Sequence, residues 1–180
     1  MPSQVLPHQA FLSEHRAAVR EFISAVRQLD SGAWLRPVGP RKWSPALITA
    51  HVTLSIEAFT DETAGRAHMA TVMNAWKRFV ARTVFLRRLL RTGIFPVGFH
   101  APRETRPSST PSPQAEAIAA LGEAVTALES TLAVHPDPVH CRITHPYFGR
   151  LPLITGLQLL TLHARHHQGQ LPRRAGGLPR

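Results

Sequence analysis

An all-α fold is predicted from this sequence by three observations. Apolar residues recur at three- and four-residue steps through five stretches, the period of helices that bury one face. No run shows the alternation of a half-buried strand, and no internal repeat is visible. The sixteen prolines act as punctuation between the periodic stretches. With 180 residues, 43% hydrophobic and 18% charged, the chain suits one compact domain with an ordered core over about 8–172 and a frayed tail over 173–180.

The first helix is expected from Gln9 to about Leu29, on the stripe Phe11, Val19, Phe22, Val26 and Leu29. DSGAWLRPVGPRK then breaks the period with Gly32, Pro37, Gly39 and Pro40 and reads as a connection. In KWSPALI the helix restarts. Ser44 can cap the free amides, Pro45 fits the first helical position, and Trp43 can staple onto Ile48. This second helix should run to about Ala64, with Gly65 as a left-handed cap.

A third, basic helix is predicted on the stripe Val72, Trp76, Phe79, Leu86 and Leu90. Residues 92–112 hold four prolines and two glycines without any period, forming a long connection of a kind uncommon in compact domains unless functional, which either covers a site or is simply mobile. Ser112 and Pro113 repeat the cap-plus-proline signal before Ile118, Leu121, Val125, Leu128 and Leu132, and that helix ends near His135-Pro136. After a loop containing HPYFGRLP, the last helix should run from about Pro152 to Leu171, stopped by Pro172.

Cys141 is the only cysteine, which excludes an intramolecular disulfide and a cysteine-built zinc site. A reducing, cytoplasmic setting is the natural expectation, since no signal-peptide pattern and no apolar run of membrane-spanning length is present. The net charge of +10 is concentrated. Residues 76–106 carry Lys77, Arg78, Arg82, Arg87, Arg88, Arg91, Arg103 and Arg106 against Glu104 alone. Such a segment can contact nucleic acid or an anionic membrane surface, or simply be a solvated face. No zinc-finger or RNP signature supports nucleic acid.

The histidines carry the chemistry. Leu153, Gly156, Leu160, His163, His167 and Leu171 form one inward line, so two imidazoles four residues apart share the buried face of the last helix. On the second helix, His51 interrupts an inward row of Leu47, Leu54 and Ala58. Each unsatisfied buried polar group costs about 1 to 3 kcal/mol, and a shared divalent ion (zinc, nickel, iron or copper) would remove that cost. Three protein ligands leave coordination positions open, which suits catalysis better than a closed structural site. No general base is obvious: Glu57 points away, Glu62 points the right way but lies about three turns distant, and His15, on the inward stripe of the first helix, could reach the site but reads rather as a satisfied core histidine.

KWSPALITAHV, HPYFGRL and HARHHQGQL, in that order, resemble the DinB/YfiT-like superfamily of metal-dependent four-helix-bundle proteins. The resemblance spans most of the chain. It implies a four-helix bundle, to which this sequence adds the basic helix and the proline-rich connection. It also implies a metal site of His51, His163 and His167, with His166 and Gln170 matching the pattern beside it. Gln170 is placed either to hold a ring N–H or water near the ion or to cap the helix end. Pro152 and Gly156 depart from the expected pattern. The implied activities are a hydrolase, in which the ion activates water, or an S-transferase that takes a low-molecular-weight thiol as cosubstrate. A small-molecule substrate and a homodimer are the family-level expectations for partners. The competing class is a non-enzymatic helical protein that binds nucleic acid or a protein through its arginine-rich surface.

Overall fold

The computed structural model describes residues 7–95 and 100–172; the tail expected over 173–180 lies outside the described residues. Four long helices carry the fold: α1 (Pro7–Arg27), α3 (Pro45–Thr63), α6 (Gln114–Ala133) and α7 (Leu153–Gln168). They close a ring, with α1 against α7, α7 against α3, α3 against α6, and α6 back against α1. The result is the predicted four-helix bundle. Its axis is filled by Phe22, Ile48, Ile56, Leu121, Leu128, Leu153 and Leu157, each almost wholly removed from water.

α3 starts as its sequence dictates. Ser44 has extended backbone and its hydroxyl accepts from the Leu47 amide at 3.4 Å, with Pro45 in the first turn. Gly65 follows the helix with φ +68, a conformation that costs glycine nothing. The inward row differs from expectation. Leu47, Leu54 and Ala58 are only half-buried, whereas Ile48, Val52, Ile56 and Phe59 lie deep, because α3 is covered on most of its circumference and has no single apolar stripe.

Several connections hold structure that the sequence pattern concealed. Asp30 caps a five-residue helix, α2 (Ser31–Leu35), by accepting from the Ala33 amide at 2.7 Å. α6 has Pro113 in the cap position, with no capping hydroxyl from Ser112; the Ser112 carbonyl instead accepts from the Trp34 indole at 3.1 Å. The expectation of no strands is also corrected. β1 (Arg142–His145) and β2 (Gly149–Pro152) form an antiparallel hairpin with His145 opposite Gly149, and Gly149 turns the chain with φ +70.

Glu62, at the end of α3, holds this hairpin. Its carboxylate accepts from the Thr144 amide and the Met69 amide, both at 2.8 Å. Burial pushes its pKa up, but the hydrogen bonds from Met69, Thr144 and His68 outweigh burial and hold it below the ordinary glutamate value.

The basic helix is three pieces: α4 (Ala75–Val80), a π-helical stretch (Ala81–Leu86) and α5 (Arg87–Thr92). Ala81, Leu86 and Leu89 face the body, while Val72, which precedes the helix, and Trp76, Phe79 and Leu90 of the predicted stripe are exposed; the π stretch shifts the register of the positions that follow it. No described helix is long and apolar enough to cross a membrane.

Candidate metal centre

α3 and α7 bring the three predicted histidines to one point. His51 Nε2 lies 3.1 Å from His163 Nε2, which lies 3.0 Å from His167 Nε2. One potential ligand atom from each residue falls within 4.8 Å of the others. The i, i+4 spacing places His163 and His167 one turn apart on α7, and His51 meets them edge-on from α3.

The partners on the far side of two rings fix which nitrogen carries a proton. His51 Nδ1 lies 2.6 Å from the Thr105 carbonyl. A carbonyl only accepts, so Nδ1 donates and Nε2 is left with its lone pair. His167 Nδ1 likewise donates to Gln170 Oε1 at 2.9 Å, while the Gln170 amide nitrogen donates to His166 Nε2 at 2.9 Å. Gln170 is thus an orienting partner of His167 rather than a bare helix cap, and His166 turns its Nε2 to Gln170.

Two lone pairs therefore meet at His163 Nε2, which has at most one proton to give. At least one lone pair is left facing another nitrogen in a buried setting, a loss of about 1 to 3 kcal/mol. A shared cation satisfies all three. Imidazole nitrogens about 2.0–2.1 Å from a common zinc ion sit about 3 to 3.4 Å apart, and the separations of 3.0 and 3.1 Å fit that requirement.

Electrostatics favours the same state. Burial pushes the His163 pKa well below 6.5, with neighbouring His167 and His51 adding to the effect. Burial and then His51 lower His167 to about 3. Burial also lowers His51, against the opposing pull of the Thr105 carbonyl. All three rings are neutral at pH 7, the protonation state in which imidazole binds a metal.

A cavity of about 660 Å³ opens over the cluster, walled by Trp43, Phe59, Phe95 and Tyr147, with Arg41 and Lys42 at its edge. The Trp43 ring lies 5.1 Å from that of His51 at 53°, so the residue before the helix cap forms a wall of the centre. No Asp or Glu lines the cavity among the described residues. Glu57 is exposed, and Glu62 is spent on the hairpin. His15 does not line this cavity, and the described residues do not satisfy its ring as expected: it is fully buried with neither nitrogen hydrogen-bonded among them.

Sequence reasoning missed two contributors. The Thr105 carbonyl comes from a 3-10 turn (Arg103–Thr105) within the proline-rich connection, and no residue type signals a backbone acceptor. His145, inside the quoted HPYFGRL, lines the cavity from β1 with its ring 4.7 Å from that of Phe148. The Tyr147 amide donates to His145 Nδ1 at 3.2 Å, so the neutral ring carries its proton on Nε2.

The family model of the DinB superfamily matches residues 12–171. The chain belongs to the DinB superfamily. Among solved structures it is similar to the crystal structure of TT2238, a four-helix bundle protein, with a TM-score of 0.53 and 20% identity over 89% of this chain and 94% of that one. That likeness concerns the fold. No curated protein matches the chain. Superfamily membership and the histidine cluster together fit a metal-binding DinB-like protein.

Proposed function

We propose that this DinB superfamily protein is a metal-dependent S-transferase that joins an anionic low-molecular-weight thiol to an apolar electrophile. The observation that carries the proposal is the convergence of His51, His163 and His167 beneath an aromatic cavity, with two of the ring tautomers set by outer hydrogen bonds. A divalent zinc, nickel or iron ion bound there would supply Lewis acidity, lowering the pKa of a coordinated thiol or water toward neutrality.

The chain's own residues favour the thiol over water. Attack by water releases a proton during the reaction and gains from a nearby acceptor. Among the described residues the cavity offers no carboxylate, His145 Nδ1 is occupied by the Tyr147 amide, and His166 Nε2 is occupied by Gln170, which leaves the exposed His100 as the remaining imidazole on the lining beyond the three of the centre. A thiol starts from a pKa of about 8.5 and would be fully ionised on such an ion, whereas bound water, brought to about 7, is ionised only in part and gains from an acceptor.

Arg41 and Lys42 give the cavity edge a positive charge that suits an anionic thiol. Arg41 holds φ 55, the single positive value among the described non-glycine residues, a costly conformation of the kind retained where position matters. Phe59, Phe95 and Trp43 exclude water and hold the apolar electrophile, while His145 Nε2–H can donate to the atom that gains charge.

The test is consumption of a model electrophile by the zinc-, nickel- or iron-loaded protein with a panel of anionic cellular thiols, beside an ester and amide panel without thiol. The proposal expects thiol-dependent turnover that is lost on chelation and in His163→Ala. Turnover of esters or amides without thiol would make the protein a hydrolase. Metal-dependent turnover of neither contradicts the enzyme reading.

A further inference from the structure

The basic segment from Ala75 to Thr92 reaches the cavity over the centre only through the buried Leu89, and its outer face is unusual. Trp76 is 71% exposed and Phe79 58%, and their rings stack on each other at 5.9 Å and 22°. Val72, just before the helix, Val84 and Leu90 within the segment, and Ile94, just beyond it, are exposed as well. Large exposed apolar patches on a folded protein mark interaction surfaces.

The charge around it is of one sign. No acidic residue occurs between Glu62 and Glu104. Lys77, Arg82, Arg87, Arg88 and Arg91 make no ion pair among the described residues. The partner of this face must therefore offer negative charge and an apolar phase together.

We propose that the segment seats the protein on an anionic lipid surface, with Trp76 and Phe79 inserted at the level of the headgroups and the arginines paired with lipid phosphates or carboxylates. A helix with aromatic and aliphatic residues on one side and Lys/Arg beside them lies in such an interface. The two other occupants fit less well. A second copy of this chain would bring the same cations against themselves across a two-fold contact. A nucleic acid supplies phosphates, and its bases would stack on aromatics, but it offers nothing to Val72, Val84, Leu90 and Ile94.

The test uses the full-length protein with vesicles of phosphatidylcholine alone or with phosphatidylserine added, read by co-sedimentation and by quenching of tryptophan fluorescence with brominated lipid. Trp34 is buried and Trp43 half-buried, so quenching reports Trp76. Binding to the anionic vesicles should exceed that to neutral ones about tenfold or more and weaken with salt. Combined Trp76→Ser and Phe79→Ser should cut binding by about tenfold and leave the circular dichroism spectrum and metal content unchanged, since both side chains are exposed.

No preference for anionic vesicles at low salt overturns the proposal. So does vesicle binding without quenching that survives the double substitution, which would indicate charge alone. Lipid-free self-association abolished by the same substitutions would assign the face to a second copy, and tighter binding to duplex DNA than to vesicles would assign it to nucleic acid.

Discussion

Among the buried groups His15 is the most open to test, because no described residue hydrogen-bonds to its ring and its energetics can be worked from the structure. The ring is fully buried in α1, and neither nitrogen has a partner among the described residues. Burial lowers its pKa from 6.5 to about 4, with Glu129 pulling weakly the other way. In the unfolded chain the ring takes up a proton as pH falls through about 6.5, whereas in the folded chain it resists until about 4. The unfolded state therefore binds more protons throughout that window. Stability is fully retained above pH 6.5, declines as pH falls, and levels off below about 4.

That gap in pKa, at about 1.36 kcal/mol per pH unit, amounts to a loss of about 3 kcal/mol across the window. His15→Leu removes the titrating group and two unsatisfied nitrogens while filling similar space. The variant should equal or exceed the parent at pH 7.5, and its advantage should grow by about 3 kcal/mol on going to pH 4. Urea unfolding of both proteins in chelator at several pH values measures this difference directly, since protonation of the other histidines cancels. A difference that stays constant between pH 7.5 and 4 would refute the reasoning, because it would mean that the His15 ring charges as readily folded as unfolded.

Other substitutions address the supports of the centre. At Gly156 an added Cβ would fall 2.4 Å from Phe59 Cε2 and 3.2 Å from Ile143 Cγ1, both on buried side chains. Gly156→Ala should accordingly destabilise by about 1 to 2 kcal/mol in chemical denaturation, despite a helix-propensity gain of about 1 kcal/mol, and a stabilised variant would contradict the close packing. Gln170→Leu deprives His167 of its Nδ1 acceptor and should weaken metal affinity roughly 10- to 100-fold in competition with a chromophoric chelator; unchanged affinity would mean that His167 is oriented by packing alone. Glu62→Ala leaves the Thr144 and Met69 amides without their acceptor and should cost about 2 to 3 kcal/mol of stability, whereas a near-neutral effect would show that the hairpin is held by its apolar contacts.

The long helices were legible because a 3.6-residue period survives over many turns, and Ser44-Pro45 marks the start of α3 unambiguously. The last helix read best: its inward line from Leu153 to Leu171 is the buried line, with His163 half-buried beside the cavity. α3 read less well, since a helix enclosed on most sides buries threonines and Glu62 as well as leucines and loses its stripe. The basic helix misled because Trp76 and Phe79 are apolar yet face outward, and because the π stretch, which has no residue signature, displaces the positions after it.

Short elements were illegible for a different reason. The strands Arg142–His145 and Gly149–Pro152 are four residues each, too short for alternation to emerge, and their register rests on Glu62, eighty-two positions from Thr144. α2 lasts five residues and contains Gly32. Gly156 looked out of place in a helix until Phe59 and Ile143 were seen to occupy the space that a side chain would need. The candidate ligand positions were visible because polar rings on an apolar face stand out, whereas the Thr105 carbonyl that orients His51 is a property of backbone geometry.

The three imidazoles between α3 and α7 are placed where they could share a cation, and counting that cation is the decisive measurement. Purified protein, stripped and then dialysed against zinc, should hold a single ion per chain with a matching rise in thermal stability, and His51→Ala and His163→Ala should each abolish both. Zinc binding that survives either substitution, or the absence of any bound ion in the parent protein, would contradict the account.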